Sequence, residues 1–271
     1  MFSVIEKKKR EKNFFKRLLP AHSSLERVDL GNAEYFLRVS VSASRGRVRW
    51  DEVRALLGKG VGRVLCADGL VLPENSGLKP LNPRAFSRAL TVNSAVKFIE
   101  ATAVNSRECS LTYYDPSAAG RDLLKKFYDL CSVIKVVTDR PNYYEAEVFR
   151  AMQDKGLAIM VSTDLSSAFD SVFAVCPEPP DKPVSFCANT AVIASCEKNL
   201  FTSKLFSAQT VRIPPSVRGI MPQGVSSKDF LGALYEYAGC DYLGDSVSPT
   251  LKYRNLYLNY FEAADKFTID R

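Results

Sequence analysis

Hydrophobic and polar positions along this chain follow two different rhythms. From Glu34 to Val41, Tyr35, Leu37, Val39 and Val41 are separated by single residues, the period of a strand with one buried face. Ser44 to Arg47 then supply turn residues, and Val48 to Trp50 a return strand. Asp51 opens a short helix with Val53, Leu56 and Leu57 on one side, closed by Gly58 and Gly60. Arg63 to Ala67 predicts a further strand, and Leu72 to Pro83, rich in Pro, Gly and Asn, an irregular connection. Asn82 and Pro83 fit the cap and first position of a helix with Phe86, Ala89, Leu90, Val96 and Ile99 along one face, broken near Thr91 to Asn93.

From Ser106 the second rhythm begins, short apolar runs alternating with amphipathic stretches. Strand Cys109 to Tyr114 leads into a helix carrying Gly120, Leu123, Leu124, Phe127 and Cys131 on its inner face. Strand Val133 to Thr138 is followed by Asp139-Arg140-Pro141 and a helix from Asn142 to Lys155, stopped by Gly156. Strands at Leu157 to Ser162, Val172 to Cys176, Val184 to Cys187 and Ser207 to Ile213 complete the series, with an acidic turn after the first of them. Strands joined by helical crossovers are most simply parallel, because a right-handed crossover lays its helix back across the sheet. The expected fold class is α/β: a Rossmann-like, doubly wound, mostly parallel sheet preceded by a smaller α/β N-terminal region. Ser226 and Asp229 then have the spacing of a helix start, with Phe230, Leu231, Leu234, Tyr235 and Ala238 inward and Gly239 at the end. The last thirty or so residues, rich in Tyr and Asn, are expected to be peripheral. The expected division is a basic tail at 1–20, a smaller region at 21–105, and a Rossmann-like domain with a helical extension at 106–271.

The chemistry concentrates in Leu111 to Leu124, LTYYDPSAAGRDLL, where a strand turns sharply into an amphipathic stretch. With Gly120 aligned on the third glycine of G-x-G-x-x-G, Asp115 stands at the first and Ser117 at the second. From Ser106 to Ile213 the chain resembles the NAD(P)-binding Rossmann domains of the shikimate and amino-acid dehydrogenase type, on strand order, this one glycine and an acidic residue after the second strand. The resemblance implies NAD(P) as the cofactor, with Asp115, Ser117, Gly120 and Asp139 as candidate binding residues. Gly120 keeps only the helix-packing role of the motif. Ser117 places a hydroxyl where the backbone of such a loop is bare, in reach of a phosphate. The Asp115 carboxylate competes for the amides that would hold an anion, or caps the helix through the amides of Ser117 or Ala118. Asp139 lies 19 residues after Gly120, the separation of the carboxylate that holds an adenosine ribose, and equally that of a cap for the helix after Pro141. Arg140 beside it would suit a 2′-phosphate.

Composition narrows the functional classes. At 46% hydrophobic and 25% charged, the 271 residues are of globular type, and no apolar run is long enough to span a membrane. The net charge of +7 is carried mostly by residues 1–20, which hold a balance of +5. A nucleic-acid or membrane contact is therefore expected only through that tail, where Phe14, Phe15, Leu18 and Leu19 among the charges suit a short basic helix ending near Pro20 or a solvated terminus. Seven scattered cysteines without a C-x-x-C pair read as buried hydrophobes in a cytoplasmic protein, not as a disulfide framework. With His22 the only histidine, neither a zinc site nor a histidine base is expected. Lys79 and Asn82 in the connecting loop, and Asp164 and Asp170 at strand ends with Ser166 and Ser167 between them as a turn, are the remaining polar candidates, and no catalytic set emerges. The first reading is a Rossmann-like protein with a degenerate dinucleotide loop, acting as a ligand-sensing or interaction module on an unidentified small molecule or protein. The alternatives are an NAD(P)-dependent oxidoreductase of a small hydroxy or keto acid, and a basic-tail docking protein for membrane or RNA.

Overall fold

A computed structural model describes residues 1–8, 23–31, 34–41, 48–58, 63–168, 170–196, 200–201, 203–207 and 210–269. In chain order the elements are β1 (Ser3–Lys7), β2 (Ser24–Gly31), β3 (Glu34–Val41), α1 (Trp50–Leu57), β4 (Arg63–Cys66), β5 (Lys79–Pro80), α2 (Arg84–Ala101), β6 (Ser110–Tyr114), β7 (Val133–Val137), α3 (Glu145–Lys155), β8 (Ala158–Ser162), β9 (Phe173–Cys176), β10 (Ala191–Ala194), β11 (Lys204–Ser207), α4 (Pro215–Arg218), α5 (Ser227–Tyr237), β12 (Leu251–Tyr253), β13 (Leu256–Leu258) and α6 (Tyr260–Ile269). They form two compact units, Met1–Pro83 with Ile213–Leu243, and Arg84–Arg212 with Gly244–Arg271.

The first unit is built on a five-stranded sheet in the order β2-β3-β1-β4-β5. β1 lies at its centre, parallel to both β3 and β4. Residues 3–7 therefore do not belong to a solvated tail: Phe2, Val4 and Ile5 are fully buried, and their apolar alternation outweighs the lysines that follow. The basic helix expected around Phe14 to Leu19, and His22, lie outside the described residues. β3 has the expected bounds, but its antiparallel partner is β2, which precedes it. Trp50, expected in a return strand, instead begins α1. One face of the sheet packs Ile5, Val39 and Val64 against Val53 and Leu57 of α1. On the other, Phe230 of α5 meets the rings of Phe2 and Phe36 at 6.4 and 5.4 Å. Ser226 caps α5 as its spacing predicts, accepting from the Asp229 amide.

The second unit holds an eight-stranded sheet, β13-β12-β11-β10-β9-β6-β7-β8, parallel from β11 to β8 and antiparallel at β12 and β13. Counted from β6, its six parallel strands run in the order 3-2-1-4-5-6, that of a Rossmann sheet, with the reversal between β6 and β9. α2, α3 and α6 cover one face, closing over Leu111, Ile134, Phe173, Ile193 and Phe206. The opposite face, Ala174, Cys176, Val192 and Ala194, is covered by Val184, Phe186 and Phe201 from segments with no helix among their described residues.

Several expectations for this unit are corrected. The stretch after Gly120 is a 3₁₀ turn, Arg121–Phe127, and not an α-helix. Val184 makes only an isolated bridge to Phe201, and β10 and β11 supply the strands expected at 184–187 and 207–213. α2 runs unbroken through Thr91 to Asn93, because these polar side chains are buried and bonded. Thr91 donates to Ser87 O at 2.9 Å, and Asn93 donates to Gly244 O and Ser246 O at 2.8 and 2.9 Å while accepting from Lys126. Nor is the C-terminal stretch peripheral, since Ala263 and Phe267 of α6 are buried against Phe98 and Phe173. No helix among the described residues is long and apolar enough to cross a membrane.

Candidate functional site

In a Rossmann sheet the ligand crevice opens at the carboxyl ends of strands where the order reverses. Here that place lies beyond Tyr114 of β6 and Cys176 of β9, and the residues following each strand meet there. Ser117 donates to Glu178 Oε2 at 2.9 Å, and Arg88 of α2 pairs with Glu178 Oε1 at 2.5 Å. The turn is anchored to β7: Asp115 N–H donates to Val137 O at 3.0 Å, and Pro116 O accepts from the Asp139 amide at 3.2 Å. Ala118 completes it with φ of 57°, a left-handed conformation that costs an L-residue about 1 kcal/mol.

Asp115 is fully buried. Its Oδ2 accepts from the Gly120 amide at 2.8 Å and from the Tyr144 hydroxyl at 2.6 Å, while its buried Oδ1 has no hydrogen-bond partner. The carboxylate thus takes the amide of Gly120 and not those of Ser117 or Ala118. The Ala118 amide turns instead to Asp115 O at 3.0 Å, and that of Ala119 to Ser117 Oγ at 3.3 Å. Burial pushes the Asp115 carboxyl above the usual carboxylate range, against the opposing pull of the Tyr144 and Gly120 hydrogen bonds. Burial likewise pushes the Tyr113 and Tyr144 hydroxyls upward, reinforced by the Asp115 charge.

Gly120 has a specific steric reason. Its φ of −100° suits any residue, but a Cβ there would stand 2.7 Å from the Tyr113 hydroxyl and 3.3 Å from Asp115 Oδ2. Tyr113 uses that closeness to donate to Gly120 O at 2.8 Å. The glycine admits a tyrosine to the corner, as well as letting the turn pack against the strand.

These residues do not fit a dinucleotide pyrophosphate. An anion needs bare amides at the start of a helix. This corner offers a carboxyl on the Gly120 amide, a second carboxylate on Ser117, and a 3₁₀ turn in place of the helix. Asp139 is exposed at the end of β7; the turn it precedes has Arg140 at its cap position and no side-chain cap bond. Exposed Tyr143 lies between Arg121 and Arg140, at 5.6 and 5.8 Å from its ring centre.

The other polar candidates are scattered. Asp164 follows β8, where its carboxylate accepts from Ser166, which holds it below the usual range. Asp170 precedes β9 and so lies at the opposite end of the strands from the crevice, paired with Lys135 at 2.6 Å. The side chain of Ser167 lies outside the described residues. Lys79 sits in β5 and Asn82 just before α2, both exposed. Tyr113, Tyr144, Arg88 and Glu178 are the participants that sequence reasoning did not select. For Glu178 a signal was present, since it directly follows the apolar run ending at Cys176 and Pro177.

No protein-family model matches the chain, and no curated protein matches it. Among solved structures it is similar to a dipicolinate synthase from Bacillus subtilis (15% identity, 58% of this chain and 59% of that one, TM-score 0.39). It is also similar to a dipicolinate synthase from Bacillus halodurans (11%, 86% and 96%, TM-score 0.39). A third is an archaeal alanine dehydrogenase dimer with bound NAD (14%, 40% and 35%, TM-score 0.31). The match spans little more than a third of the alanine dehydrogenase and under two thirds of the Bacillus subtilis protein. The Rossmann-type order of the second unit is read from its own strands, β8-β7-β6-β9-β10-β11.

Proposed function

We propose that this chain is a Rossmann-like protein whose dinucleotide corner is closed by its own side chains, and that it works in the cytoplasm as a non-catalytic ligand-sensing or interaction module. The observation that carries this reading is the buried Asp115 carboxyl on the Gly120 amide, the group a pyrophosphate would otherwise use. Glu178, itself held by Arg88, supports it by occupying the Ser117 hydroxyl, the other donor of the turn. The alternative, an NAD(P)-dependent oxidoreductase of a small hydroxy or keto acid, keeps Asp139 as its ribose ligand, exposed at the end of β7. Binding of membrane or RNA through the basic tail at 1–20 keeps only residues 9–20 outside the described structure, since residues 3–7 form β1. Calorimetric titration of the full chain with NAD, NADH, NADP and NADPH separates the first two readings. No saturable heat is expected from any of the four; micromolar binding together with turnover of a hydroxy or keto acid would overturn the proposal.

A further inference from the structure

Among the seven cysteines, Cys109 and Cys131 stand in direct contact, Sγ to Sγ at 3.3 Å. Cys109 immediately precedes β6, and Cys131 follows the 3₁₀ turn by four residues, so the two ends of the corner segment meet through their thiols. Both are buried, at 0% and 4% exposure, in the main core of the second unit. The backbone already fixes their approach. Cys131 N–H donates to Phe127 O at 3.2 Å, and Cys109 O accepts from the Ser132 amide at 3.0 Å, with the Ser132 hydroxyl on the same carbonyl at 3.2 Å. Two sulfurs held in contact by a tied backbone need only a small further approach to reach bonding distance.

We propose that Cys109 and Cys131 form a reversible disulfide, a modification site that encloses the whole Asp115 corner. The stretch between them contains Tyr113, Asp115, Ser117 and Gly120, so the bond would staple the closed turn to the start of its own strand. The oxidant is a small peroxide. Cys109 sulfur, as thiolate, attacks one oxygen of hydrogen peroxide; the O–O bond breaks, the departing hydroxide takes a proton to become water, and a sulfenic acid remains. Cys131, as thiolate, then attacks the Cys109 sulfur, the S–O bond breaks, and the second hydroxide leaves as water with the remaining thiol proton. Two thiols and one peroxide thus yield one disulfide and two waters, with two electrons passing from sulfur to oxygen. The contact lets either thiol donate to the other, so the two roles are interchangeable and the disulfide is the same whichever sulfur meets the peroxide first. With both sulfurs buried, the peroxide enters by local opening of the 121–131 stretch, so the reaction is slower than oxidation at half-buried Cys66, Cys187 and Cys240. Among the described residues these three have no thiol in contact, and they advance instead to sulfinic and sulfonic acids.

The test uses the full native chain, exposed to hydrogen peroxide over a time course, alkylated with iodoacetamide, digested and read by mass spectrometry. The expected result is a Cys109–Cys131 linked peptide, lighter than the sum of its parts by two hydrogens, carrying most of the Cys109 signal and lost on treatment with dithiothreitol. Slower amide exchange across residues 115–131 in the oxidised protein is expected alongside it. In C131S, checked for fold by circular dichroism, Cys109 yields no linked peptide. Recovery of Cys109 and Cys131 as separately alkylated thiols at the end of the time course, after the half-buried cysteines have been fully oxidised, would overturn the proposal, as would cross-linking of Cys109 to any other cysteine. Because the first readout is made on the unaltered protein, a C131S chain that fails to fold leaves the outcome decided.

Discussion

Replacing Asp115 in two ways separates its hydrogen-bonding role from its charge. Asp115→Ala removes the acceptor of two buried donors, the Gly120 amide at 2.8 Å and the Tyr144 hydroxyl at 2.6 Å. Each stranded donor costs about 1–3 kcal/mol, and deleting the unpartnered Oδ1 returns part of that, so a net loss of about 3 kcal/mol is expected. Asp115→Asn behaves differently because a single oxygen, Oδ2, accepts both bonds. The asparagine carbonyl can keep both while its amide group replaces Oδ1, so its cost at neutral pH should stay within about 1 kcal/mol. The charge shows in the pH dependence. Burial raises the folded-state affinity of Asp115 for its proton above that of the unfolded chain. The folded state therefore binds more protons, and stability falls as pH rises. This contribution is complete below the unfolded value and is lost as pH passes the raised folded one; in Asp115→Asn it disappears. Urea unfolding followed by circular dichroism across acid to neutral pH gives both quantities, and exchange of the Gly120 amide reports the bond itself. An alanine variant no less stable than the asparagine one would refute the hydrogen-bond reasoning. Identical pH slopes for wild type and Asp115→Asn would refute the electrostatic part.

Two further outcomes test the packing. Gly120→Ala should cost about 1–3 kcal/mol, because its methyl would stand 2.7 Å from the buried Tyr113 hydroxyl, and Tyr113→Phe in the same chain should restore much of that loss, since the clashing atom is the oxygen that phenylalanine lacks; unfolding midpoints check both. Phe267→Ala should destabilise by about 3–5 kcal/mol, measured by urea unfolding, because the ring is buried between Phe98 and Phe173 and is no part of a peripheral tail.

The alternation from Ser110 to Cys176 was legible because parallel strands covered on both faces read as near-continuous apolar runs. The weaker rhythm after Ala188 hid β10 and β11, whose four residues each are too short for a period to register. The break expected at Thr91 to Asn93 was a true polar signal with another meaning. Asn93, with Ser94 beside it, receives the returning segment at Gly244 to Ser248, a partner about 150 residues away that no local pattern reveals. At the corner, the aspartate was visible in the sequence, but its choice of the Gly120 amide depends on Tyr144 approaching from beyond β7. The stretch LTYYDPSAAG suggested a helix start because Asp-Pro favours one; instead Gly120 O accepts from the buried Tyr113 hydroxyl and from the Leu123 amide three residues on, the bond of a 3₁₀ turn.

The covering of β1 and β3 by α5 has a consequence for how the chain acquires its structure. Phe2 and Phe36 wait for Phe230, which emerges from the ribosome nearly two hundred residues after Phe36. Through most of synthesis one side of that early sheet is an aromatic surface without its lid, a state that invites chaperone capture or clumping. A chain cut short before α5 would retain every strand of the sheet and still lack what keeps it from sticking to its neighbours.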